Sequence, residues 1–226
     1  MYLDMYKIDG TINNDTEPCF GNPETYPKFQ EELEQFKHHL VELVYLNEPK
    51  TFYKFGDGDY FFLRKEPVGS ATPGRRALSK GYDQINHEAF VAGAQLCDYY
   101  TCEIYPTNRG RFAQVIDRKV DYPAEFGYGL VTNKWLLETF SGRIGLIGAD
   151  EKMNIIQNLM EAPQYQDYLG LEKFEDYISL PQKFACDDID ATEQMVAEQL
   201  KNSTSKIFLM GMGHVKSGLI HRLKKH

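Results

Sequence analysis

The sequence has a single tryptophan, four cysteines and no apolar run near the roughly 20 residues of a membrane-spanning helix. Met1 to Gly10 alternates apolar and charged residues, which predicts no secretory leader. Of Cys19, Cys97, Cys102 and Cys186, only Cys97 and Cys102 are close, and no second ligand pair completes a zinc site. Reduced structural thiols are expected, which favours a cytoplasmic chain. A basic excess is missing as well. The net charge of −8 argues against a nonspecific grip on nucleic acid, although local Arg and Lys can still hold a small anion. No Gly-x-Ser-x-Gly elbow is present, no cysteine has the surroundings of a nucleophile, and the six histidines show no metal spacing.

What is there has ordinary globular composition: 226 residues, 42% hydrophobic and 26% charged, enough for one domain with a sizeable core. Residues 1–25 are rich in Gly, Asn and Pro and read as a turn-rich lead-in to a single domain spanning 1–226. From Tyr26 to Leu46, apolar residues recur at spacings of three and four, a helical pattern. Thr51 to Phe55 reads as a strand, with Tyr60 to Leu63 as a further apolar segment. Arg75 to Leu96 reads as a helix and Tyr99 to Tyr105 as a second strand. Ile144 to Gly148 and Lys206 to Met210 have the continuous apolar character of buried strands, and helices are expected at 150–160, 190–200 and 214–225. Alternating strands and helices of this kind predict an α/β fold, Rossmann-like, with a mostly parallel sheet and helices on both faces.

Three segments can carry chemistry. Lys54-Phe55-Gly56-Asp57-Gly58-Asp59 places two carboxylates, one glycine apart, at a strand exit. Asp57 and Asp59 in that position can converge on Mg²⁺ or Mn²⁺, and Gly56 and Gly58 let a phosphate approach the backbone. Gly-Asp-Gly is equally a common turn sequence. Gly148-Ala149-Asp150-Glu151 is a second strand exit, where Asp150 and Glu151 either cap a helix or act on a substrate. The third, Gly211-Met212-Gly213-His214-Val215-Lys216-Ser217, resembles a phosphate-binding turn. It is neither a Walker loop nor a full dinucleotide fingerprint, since position 216 is Lys, and an ordinary tight turn fits it too. Arg75 and Arg76 at a helix start, and Arg109 and Arg111 in a loop, are candidate diphosphate forks.

The order of these segments is similar to that of the GT-D class of glycosyltransferases. Members carry an Arg-Phe-Gly-Asp-Gly-Glu segment, whose Asp-x-Glu holds a divalent metal, and a late strand, small-residue turn and Lys-bearing helix. Across residues 51–225 the resemblance sets Asp57 and Asp59 in the metal positions, Lys54 in place of the family Arg, and Asp59 in place of Glu. It implies a metal-dependent glycosyltransferase moving a sugar from a UDP- or GDP-type donor to a glycan or glycoconjugate acceptor, with Asp150 or Glu151 as base. The same scaffold also serves S-adenosylmethionine-dependent and other nucleotide-dependent transferases, and a non-catalytic glycan-binding module is a further alternative.

Overall fold

The computed structural model describes residues 28–66, 82–181 and 185–226. The lead-in, the loop from 67 to 74 and the helix start at Arg75 and Arg76 therefore lie outside the described residues. Helix α1 (Phe29–Leu46) buries Phe29, Leu33 and Phe36 and ends at Asn47, which is left-handed with φ of 54°. Strand β1 (Phe52–Phe55) follows. The apolar run from Tyr60 does not extend this strand. It belongs to α2 (Asp57–Leu63), which starts because Gly56 is extended at the N-cap and its N–H donates to the Asp59 carboxylate at 2.8 Å.

The long helix expected up to Leu96 is divided at Asn86, whose side chain accepts the Ala89 N–H and starts α3 (His87–Gly93). Strand β2 (Tyr99–Cys102) is shorter than its apolar pattern, because Pro106 opens α4 (Pro106–Val115). Arg109 and Arg111 therefore stand on a helix, not in a loop. Next come β3 (Tyr122–Pro123), α5 (Ala124–Thr132), α6 (Trp135–Thr139), the fully buried β4 (Ile144–Ala149) and α7 (Asp150–Leu159). A stretch that reads as a polar connector holds α8 (Pro163–Leu169), closed by Gly170 at φ 67°. The chain finishes with β5 (Asp176–Leu180), α9 (Ile189–Leu200), β6 (Ile207–Gly211) and α10 (Lys216–Leu223).

The protein is thus α/β. In place of one continuous sheet, the strands form two three-stranded parallel sheets ordered β1-β2-β3 and β5-β4-β6. Strand alternation divides each sheet between the same two cores. Tyr53, Phe55, Tyr100, Ile147 and Ile178 face one core, closed by α2, α3, α9 and α10; Phe52, Ile144, Leu146 and Tyr177 face the other, closed by α1, α5 and α6. Helices therefore cover both faces of the strand layer. Among the described residues, no helix is long and apolar enough to cross a membrane.

Helix α10 is held from several sides. Arg222, Lys225 and His226 converge on Glu193 of α9, and Lys224 reaches Asp98 at 2.6 Å. Against the effect of burial, hydrogen bonds from Lys225, His226 and Arg222 pull Glu193 down to about 2. On the inner side, α10 presses against α3 through bare glycines: a Cβ on Gly93 would lie 2.5 Å from the Ser217 carbonyl oxygen and 3.0 Å from Gly218 Cα. Those neighbours are backbone and cannot rotate away. Gly93→Ala is accordingly expected to force the two helices apart and cost about 1–3 kcal/mol, read as a lower urea midpoint with an unchanged slope.

Candidate functional site

At the exits of β1 and β6 the two glycine-rich turns meet. Gly213, at φ 58°, occupies the left-handed region that favours glycine and begins a tight 3-10 turn into α10. This turn sets His214 flat on Phe62 of α2, ring centroids 4.7 Å apart and planes 5° apart. A Cβ on Gly58 would touch His214 Cε1 at 3.3 Å, so the two turns lie against each other. Burial pushes the His214 imidazole down, with Asp59 opposing, so the ring is biased towards its neutral form.

One residue further, Lys216 crosses to β1. Its Nζ lies 2.8 Å from Asp59 Oδ2, donates to the Lys54 carbonyl oxygen at 2.6 Å, and sits 5.1 Å above the Tyr53 ring. Ser217 is fully buried and shares a 2.7 Å hydrogen bond with the Tyr53 hydroxyl. Burial, followed by the Asp59 charge, holds the Tyr53 hydroxyl well above its ordinary value, so it remains protonated. Asp59 is only 4% exposed and meets the Lys216 ammonium, which matches its charge, and the Gly56 N–H.

This geometry differs from a metal cradle. Asp57 and Asp59 open a helix, where a separation of two positions turns side chains apart by roughly 200°. Asp57 is exposed and accepts the Gly58 N–H at 2.7 Å, whereas Asp59 faces inward to Lys216. The strand exit expected to make the carboxylates converge is a helix start that separates them. Among the described residues, no group of three or more His, Cys, Asp or Glu is placed to hold a metal. A cation shared by Asp57 and Asp59 does not fit the residues in this arrangement.

Gly148 pairs with Gly211 across β4 and β6, which brings the second expected exit alongside the third. Asp150 and Glu151 follow it on α7. Both are exposed in the first turn of α7, where their negative charge suits the helix N-terminus, and Asp150 Oδ1 accepts the adjacent Glu151 N–H at 2.8 Å.

Lys54 has an acidic partner that carries no motif in the sequence. Lys54 Nζ would stand 3.2 Å from a Cβ at Gly56, so it borders the first turn, and it lies 3.4 Å from Glu103 Oε1 just beyond β2. Burial works against the Lys54 charge, but the hydrogen bond and charge of Tyr128 and the charge of Glu103 push it up to about 12. Glu103 also accepts from Asn108 and, at 3.5 Å, from the Tyr128 hydroxyl, and its main-chain carbonyl accepts from Arg109 Nε at 3.0 Å. Behind it, fully buried Glu125 accepts the Ile104 N–H at 3.1 Å with one oxygen. Glu103 and Glu125 are 22 positions apart in sequence, and neither belongs to a motif; only the parallel pairing of β2 with β3 brings them together.

Compared with protein families, with characterised proteins and with solved structures, the chain matches none.

The Lys216–Asp59 pair provides the test of this arrangement. Lys216→Met leaves a buried carboxylate without its counter-charge and is expected to cost about 3–5 kcal/mol in denaturant unfolding. Adding Asp59→Asn to that variant is expected to recover a large part of the loss, since the double variant buries no unpaired charge. Losses that simply add would mean the two side chains do not interact.

Proposed function

We propose that the protein is a glycosyltransferase, Rossmann-like and of the GT-D type, that takes its sugar from a nucleoside-diphosphate donor held in the crevice between the exits of β1 and β6. The observation that carries the reading is the Lys216–Asp59 pair, which draws the two glycine-rich turns, distant in sequence, together. The resemblance expects this juxtaposition of an early Gly-Asp-Gly segment and a late Lys-bearing helix. Ligands of open α/β sheets gather at the carboxyl ends of the strands, where this crevice lies.

The chemistry follows from charge. As the bond between the sugar and the diphosphate breaks, negative charge grows on the leaving diphosphate. Lys54, held cationic beside Gly56, is the side chain of this site best placed to meet that charge. Gly211 leaves room for phosphate oxygens near the backbone, since a Cβ there would meet nothing within 4 Å. The acceptor is proposed to be a glycan or glycoconjugate. Mg²⁺ and Mn²⁺ enter as variables of the test, because Asp59 is already paired with Lys216.

One observation favours a second reading, a glycan-binding module. Tyr165 and Tyr168 on α8 are exposed, with centroids 6.4 Å apart, and exposed rings of this kind suit sugar faces.

A thermal-shift screen separates the two. UDP- and GDP-sugars at about 100 times their dissociation constant should raise the melting temperature by roughly 5–10 °C, and Lys54→Met should lose most of that shift. Adding Mn²⁺ to each arm reports whether a cation strengthens donor binding. A shift with S-adenosylmethionine alone would move the reading to methyl transfer. Shifts with free oligosaccharides alone, abolished by Tyr168→Ala, would establish the binding module instead.

A further inference from the structure

Glu103 and Glu125 form a carboxyl pair next to Lys54, Glu103 in contact with it and Glu125 buried behind, and the two are treated differently by their surroundings. Glu103 has a side chain 15% exposed and gathers three donors, from Lys54, Asn108 and Tyr128. Glu125 is wholly enclosed at the start of α5, with one oxygen on the Ile104 N–H. Among the described residues no donor reaches its Oε2. A buried carboxylate oxygen without a donor is costly if ionised and cheap if it carries a proton. The charged groups facing Glu125 are Glu103 beyond β2, which opposes its ionisation, and Arg109 of α4, which favours it. Burial, the larger effect, pushes Glu125 up to about 7. Two neighbouring carboxyls with unlike environments divide the roles of acid and base.

We infer that Glu103 is the base that takes the proton from the acceptor hydroxyl and that Glu125, acting through Glu103 and the Ile104 backbone, is its positioning residue. The inference rests on the glycosyltransferase reading and assigns a base that the sequence motifs place elsewhere, at Asp150 or Glu151. In the step, the acceptor O–H bond breaks and its proton passes to a Glu103 oxygen. The acceptor oxygen forms its bond to the anomeric carbon. The bond from that carbon to the diphosphate oxygen breaks, and its electron pair leaves with the nucleoside diphosphate. Glu103 then returns the proton to solvent. With Glu125 neutral, Glu103 is the lone negative charge of the pair and stays held by Lys54. Ionising Glu125 adds a second charge behind it and disturbs the Ile104 N–H that fixes the exit of β2.

The test uses donor hydrolysis, with water as acceptor, on a panel of UDP- and GDP-hexoses, read as released nucleoside diphosphate across pH 5–9. Glu103→Gln is expected to lower kcat at least about 100-fold while the donor KM changes little. Wild-type activity is expected to decline as the pH rises through about 7, and Glu125→Gln is expected to remove that inflection. Thermal unfolding gives a readout that needs no turnover. The value of Glu125 in the folded protein lies above its ordinary one, so its contribution to stability is full below pH 4.5 and is lost as the pH rises through about 7. The melting temperature of the wild type should therefore fall by several degrees relative to Glu125→Gln over that window. Should Glu103→Gln unfold, Glu103→Asp, which keeps the charge but retracts it by one methylene, is expected to show the same loss of kcat. A wild type that turns over donor with the Glu103 variants equally fast, or with an inflection unmoved in Glu125→Gln, overturns this assignment alone. A wild type that neither binds nor hydrolyses any donor overturns the reading of the site, and this assignment with it.

Discussion

The structure depends on one buried ion pair. Asp59 is closed off from water at the start of α2, and a lone carboxylate there would be prohibitively costly. The pair forms only if Lys216 arrives from the other end of the chain, 162 residues beyond the Lys54 carbonyl that it also binds. That requirement couples the exit of β1, the cap of α2, the left-handed turn at Gly213 and the docking of α10. The close glycine contact between α3 and α10, and the cluster around Glu193, hold α10 at the depth where Lys216 can reach.

The same constraint divides labour among the acidic groups. Asp59 is spent on structure, with its oxygen shared between Lys216 and the Gly56 N–H. Asp57 faces solvent and accepts the N–H of its neighbour Gly58. Charge that a diphosphate would need is supplied on the wall by Lys54, whose cationic state is secured by Tyr128 and Glu103. Of the two carboxyls behind Lys54, Glu103 meets three donors, whereas Glu125 is enclosed and pushed up to about 7 by burial. Each role follows from how many donors a group meets and how far it lies from water.

Much of the fold was legible in the sequence. The continuous apolar run at 144–148 is a buried strand, whereas the run at 206–210 forms a strand that is not buried, because β6 lies at the sheet edge and Met210 is exposed; the three-and-four spacing of α1 matches its inward face. Misreadings fall where a local cap overrides an apolar pattern: Gly56 and Asp59 turn an expected turn and apolar segment into α2, Asn86 divides a long helix, and Pro106 and Pro163 start helices in polar stretches. One continuous parallel sheet was expected, but the strands form two, since apolar strands carry no record of which neighbour they pair with. At the site, Lys54, Gly56, Gly58, Asp59, Gly213, His214, Lys216 and Ser217 were visible as turn motifs and do come together. The partnership of Asp59 was not visible, because spacing suggests convergence with Asp57 and only the helical start of α2 shows them diverging. Tyr53, Glu103 and Glu125 carry no local signal at all; tertiary contact alone makes them notable.

The joined turns are proposed to bind a nucleoside diphosphate. Backbone amide chemical-shift mapping with UDP and GDP, each with and without Mn²⁺, tests it residue by residue. The largest shifts are expected at Gly56, Gly58, Gly213 and Lys216, with smaller ones reaching Glu103 and Ile104. Shifts confined to the Tyr165–Tyr168 face of α8, or no shifts with either nucleotide, would contradict the account.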